Sequence, residues 1–191
     1  MPRAPRPTAA GVYHLATRST TPDLLFADGV DRLALVSQVG RVSTDTDWAC
    51  LAICVMGTHY HLLVEAAEGV IGTAMKRINW AYAVNHNKRH ARRGHRVGSK
   101  YLCVPVLGDE HLLTCYRYVM HNPIQAGLCE RPESWPWSSY ASTVGLSSGF
   151  SFVNPSRVLG LFHTDTLVAV ERLRGFVEAP LPEAGRAVSG S

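Results

Sequence analysis

The sequence predicts an α+β domain of the ferredoxin-like, split βαβ kind, an antiparallel sheet with helices on one face, followed by a further helix and a C-terminal extension. Three observations predict it. Apolar runs of strand length alternate with helical periodicity in the order β-α-β-β-α-β between residues 11 and 107. The two central runs are separated by only two residues, the spacing of a tight hairpin. The 191 residues, 46% hydrophobic and 18% charged, are enough for one domain with a core and a tail, and too few for two full domains.

Gly11 to Arg18 (GVYHLATR) alternates and is rich in β-formers, so it reads as the first strand. Asp28 to Ser43 places Val30, Leu33, Ala34, Val36 and Val39 at mostly helical spacing, with Asp28 able to cap the start. Trp48–Met56 and His59–Glu65 are continuous apolar runs, and Gly57 between them suits the positive φ of a type II′ turn. Val70 to His90 reads as a long helix and Tyr101 to Leu107 as a strand. Asp109 to Asn122 reads as a helix stopped by Pro123. The main unit is placed at 1–145, and the extension at 146–191 with one helix near Thr166–Val177 and a disordered end.

No apolar run reaches the roughly 20 residues of a membrane span, and the basic N-terminus lacks a signal peptide's apolar stretch. Five cysteines without a C-x-x-C pair read as reduced thiols of a cytoplasmic protein. Charge is unevenly placed. From Gly69 to Tyr101 there are eight basic residues (Lys76, Arg77, Lys88, Arg89, Arg92, Arg93, Arg96, Lys100) and no acid. Arg3, Arg6 and Arg18 precede the first acid, Asp23. Such a block, with Trp80 and Tyr82 interleaved, fits a nucleic-acid surface; it equally fits a solvated helix face.

The most pointed feature is His59-Tyr60-His61. On a strand the two histidines project from one face and Tyr60 from the other, and two imidazoles on a rigid strand can hold a divalent metal. The same pattern also describes half-buried histidines at a hairpin end. Tyr118 and Asn122 stand four apart on one helix face, presenting a phenol and an amide together, or else a core tyrosine and a helix-ending Asn. His14, alone on the first strand, reads as a structural histidine.

Taken together these segments resemble the HUH tyrosine transposases, in particular the REP-associated branch. The resemblance rests on GVYHLATRS (Gly11–Ser19), CVMGTHYHLLVE (Cys54–Glu65) and YVMHNPIQAGLCERPESWPWSSY (Tyr118–Tyr140), which follow in the family's order. It implies that His59, His61 and Asn122 ligate a divalent metal, Mg²⁺ or Mn²⁺, and that Tyr118 is the nucleophile. It further implies cleavage of single-stranded or hairpin DNA through a covalent 5′-phosphotyrosine link, in the bacterial cytoplasm at the nucleoid, by a monomer or homodimer with no small-molecule cofactor. The family's Pro-Asn before the first metal histidine is Gly57-Thr58 here, and its Arg-Gly-Asn after the first strand is Arg18-Ser19-Thr20. Two alternatives from other classes are a domesticated DNA- or RNA-binding protein that no longer cleaves, and a metal-dependent hydrolase that leaves no covalent intermediate.

Overall fold

A computed structural model describes residues 9–20, 24–92 and 101–179. Four strands, β1 (Gly11–Arg18), β2 (Trp48–Val55), β3 (His59–Ala66) and β4 (Leu102–Val106), form one sheet in the order β2-β3-β1-β4. Every pairing is antiparallel, which is the predicted ferredoxin-like arrangement. Helices α1 (Gly29–Asp45) and α2 (Val70–Arg89) pack on one face, against Tyr13, Leu15, Ile53, Tyr60, Leu62 and Val64. Asp28 caps α1 as expected, accepting from the Val30 and Asp31 amides.

The opposite face is covered too. There α3 (Gly108–Gln125), α4 (Tyr140–Thr143), α5 (Ser156–Gly160) and α6 (Thr166–Glu178) close over Val12, Leu51, Ala52, Cys54 and Leu63. A bulge between Cys50 and Ala52 turns consecutive Leu51 and Ala52 to this side. With both faces buried, β2 and the Leu62–Val64 stretch of β3 have no polar alternation, which explains their unbroken apolar sequence. Val158, Leu159, Ala169, Leu173 and Val177 of the extension share one core with Tyr116, Val119 and Met120 of α3. The expected disordered end, from 180 on, lies outside the described residues. Among them no helix is long and apolar enough to cross a membrane.

Two local expectations are corrected. Gly57 does not have a positive φ, so the hairpin turn is not type II′. The glycine serves a close approach instead: its carbonyl accepts from the Leu25 and Phe26 amides, both at 2.9 Å, and a Cβ on it would meet Leu24 Cδ2 at 3.0 Å. Nor does Pro123 stop α3, which runs on to Gln125. A proline this close to a helix end removes a single backbone bond, and the chain closes with Ala126 donating to Asn122 O and Leu128 to Pro123 O.

Candidate active site

Alternation along β3 sends Tyr60 into the α1/α2 core and turns His59 and His61 toward α3. Tyr60 is fully buried and donates to Asn79 Oδ1 at 2.7 Å, which fixes the strand's height from behind. The His59 and His61 rings lie 5.0 Å apart, nearly perpendicular. From α3 the Tyr118 ring comes edge-on to His61, with centroids 5.7 Å apart. Asn122, one turn on, donates through Nδ2 to the Tyr118 carbonyl at 2.8 Å. Only the NH₂ end of an amide can donate to a carbonyl, so Oδ1 is the end left to face the imidazoles. The carboxamide lies near enough to both rings to favour their protonated forms, although it makes no hydrogen bond of ordinary geometry with His61 Nε2. Residues 59, 61, 118 and 122 thus lie together.

Both imidazoles are anchored through Nδ1. Thr58 Oγ1 lies 3.0 Å from His59 Nδ1, and His14 Nε2 lies 2.9 Å from His61 Nδ1. In each ring Nε2 is the nitrogen these contacts leave over, and His61 Nε2 is buried with no hydrogen-bond partner among the described residues. An orphaned, buried imidazole nitrogen beside an amide oxygen fits a divalent cation. Burial first, then Arg18, lowers His59; burial, His14, His59 and Arg18 hold His61 well below the usual histidine range. Neutral rings keep the lone pair that a metal needs.

His14, which the sequence reads as a structural histidine, lies against these residues. Antiparallel pairing sets Ala16 directly across from His61, and His14 and Arg18 flank it on the same face. The small Ala16 leaves room for the His14 and His61 rings to stack at 5.1 Å, and His14 also meets Tyr118 edge-on at 5.8 Å. Burial, helped by His111, pushes His14 down to about 4. The signal was present in the alternation of β1, which puts His14 opposite Tyr13, but the face could be assigned only once the pairing with β3 was known.

The basic residues divide. Arg18, exposed and opposite His59, is brought to the site. Lys76, Arg77, Lys88 and Arg89 are exposed on α2, behind the sheet. Arg77 pairs with Asp45 at 2.6 Å, and Arg89 grips Asp28 at 2.5 Å and Asp31 at 2.6 Å. Arg92 is exposed just beyond α2. Arg3, Arg6, Arg93, Arg96 and Lys100 lie outside the described residues. Also on the α1/α2 side, Asp31, His86 and His90 bring potential metal-ligating atoms within 4.8 Å of one another, a grouping the sequence reading missed.

No protein-family model and no curated protein matches the chain. A solved structure does: a REP-associated tyrosine transposase bound to a REP hairpin, with a TM-score of 0.65 at 14% identity, over 81% of this chain and 98% of that one. The likeness is one of fold, and it is the fold expected from the sequence.

Proposed function

We propose that the protein is a metal-dependent single-strand DNA endonuclease and strand-transferase of the HUH tyrosine kind, with Tyr118 as nucleophile. The observation that carries this reading is the meeting of Tyr118 and Asn122 with two imidazoles whose Nδ1 atoms are both occupied. A rigid strand and a rigid helix, each packed into a core, hold the four groups, which is what positional catalysis needs. The solved neighbour is bound to a REP hairpin, which supports a nucleic-acid substrate.

His59, His61 and Asn122 would hold the cation through Nε2, Nε2 and Oδ1. When bound, a divalent ion such as Mg²⁺ or Mn²⁺ supplies positive charge at the scissile phosphate. For His61 Nε2 to keep its lone pair, Nδ1 must carry the proton and donate it to His14 Nε2; Thr58 Oγ1 accepts likewise from His59 Nδ1. Arg18 places a second cation beside His59, where a strand's phosphates can lie. Tyr118 Oη then attacks phosphorus. The new Oη–P bond replaces the P–O3′ bond, the phenol loses its proton, and the departing 3′-oxygen gains one. The energy of the phosphodiester persists in the phosphotyrosine, so rejoining to another 3′-hydroxyl needs no nucleotide cofactor.

The test is a denaturing gel of labelled, hairpin-rich single-stranded DNA with Mg²⁺ or Mn²⁺. The expected result is an SDS-resistant protein–DNA band in wild type, absent with EDTA and with Tyr118→Phe. Cleavage by Tyr118→Phe would point to a hydrolase without a covalent intermediate. Tight hairpin binding with no adduct on the protein's own flanking DNA would point to a binding protein.

A further inference from the structure

We infer that Asp31, His86 and His90 form a second metal site, of the zinc class, clipping α1 to α2 on the sheet face opposite the His59/His61 pair. The inference is independent of the reading above. His86 and His90 stand four apart on α2, so their rings share one helix face, with centroids 4.4 Å apart. Asp31, in the first turn of α1, is 2% exposed, and His86 is 5% exposed. His90 Nε2 lies 3.0 Å from Asp31 Oδ1. With the ligand atoms of all three within 4.8 Å of one another, small side-chain rotations bring them to the roughly 2 Å bonds of a zinc ion. Two imidazoles and one carboxylate suit Zn²⁺ and its neighbours in the transition series and serve Mg²⁺ poorly, since that ion prefers an octahedron of oxygens.

Two other groups hold the same carboxylate. Arg89 Nη1 lies 2.6 Å from Asp31 Oδ1, and Ala27 N donates to Oδ2 at 3.0 Å, so Oδ1 is the atom a metal would take. Arg89 holds Asp28 as well, through Nη2 at 2.5 Å and Nη1 at 2.9 Å. It therefore has a carboxylate to retain when Asp31 turns to a metal. Zinc would exchange an ion pair for a coordinate link across the α1/α2 seam without leaving Arg89 unpaired. The link would fix the end of α2, from which the chain leads directly to Arg92, Arg93, Arg96 and Lys100.

The test uses the full chain stripped of metal, in a His59→Ala/His61→Ala background that removes the other imidazole pair. Zn²⁺ is titrated against a chromophoric chelator, and Co²⁺ is followed by its visible absorption. The expected result is one equivalent of zinc, a tetrahedral-type cobalt spectrum and a raised Tm. His90→Gln, at a partly exposed helix end, should weaken zinc by about 100-fold or more, because even outer-shell partners are worth about 10–100-fold. The same variant should keep the metal-free Tm, which separates ligand loss from misfolding. Zinc binding equal in the His90→Gln protein and its parent, or no equivalent bound by the parent, would overturn the inference and leave an ion-pair cluster.

Discussion

The His14 and His61 rings, 47 residues apart in sequence, stack 19° from parallel and meet nitrogen to nitrogen at 2.9 Å. The contact occupies His61 Nδ1 and leaves Nε2 as the nitrogen an ion could take. His14→Ala should weaken Mn²⁺ binding by about 10–100-fold, as loss of an outer-shell partner generally does. An electron paramagnetic resonance titration of Mn²⁺ measures this without reference to cleavage, and unchanged affinity would remove His14 from the metal's surroundings.

Arg18 is the predicted DNA contact that the fold brings beside the histidines. Replacing it with Ala should weaken single-strand binding a few-fold and lower the slope of log K against log salt by about 0.7, one phosphate's share on a single strand. Fluorescence anisotropy between low and moderate salt gives both numbers. An unaltered slope would place the phosphates elsewhere.

Acid should destabilise the fold in a defined window. An exposed His14 would titrate near 6.5, whereas the folded group sits at about 4 because burial, then His111, disfavours its charge. Between those values the unfolded chain binds a proton that the folded chain does not. The contribution is therefore complete above about pH 6.5 and is lost as pH falls toward about 4. For His14 alone it is on the order of 3 kcal/mol, at about 1.4 kcal/mol per pH unit of that gap. His59 and His61 are lowered too and act in the same direction. Urea midpoints in EDTA should fall steadily from about pH 7 to about pH 4.5, and His14→Ala should flatten the fall.

Gly149 has φ +54°, and a Cβ there would lie 1.9 Å from the Ser142 Cβ. Gly149→Ala should cost about 2 kcal/mol or more and lower the Tm by roughly 4–8 °C. Gly69 also has a positive φ (+76°) but has nothing within 4 Å, so Gly69→Ala should cost only about 1 kcal/mol. Equal losses in the two variants would mean that the loop around Gly149 gives way freely.

Tyr60→Phe should cost about 1–3 kcal/mol, because Asn79 Oδ1, in a residue only 9% exposed, loses its 2.7 Å donor. A shifted urea midpoint at constant m-value is the readout.

The strands and helices were legible because each is bounded by its own sequence: an apolar run between turn residues, or a periodic stretch after a capping Asp28. What escaped depends on partners distant along the chain. The side that His14 faces follows from the pairing of β1 with β3. Asp31 joins His86 and His90 only because α1 packs on α2. The basic block looked like one surface, yet Arg77 and Arg89 are matched by carboxylates of α1 and its cap, which no local window contains. The end of α3 was misjudged because the cost of a proline depends on how many turns remain after it.

The backing of β3 by Tyr60 and Asn79 has one more consequence. Tyr60 sits between His59 and His61 on β3 and is held from behind by Asn79, so a change in that hydrogen bond would be passed to both rings. Substitutions among Thr17, Tyr60 and Asn79, which bond in a row behind the sheet, should then detune ion binding without touching an ion.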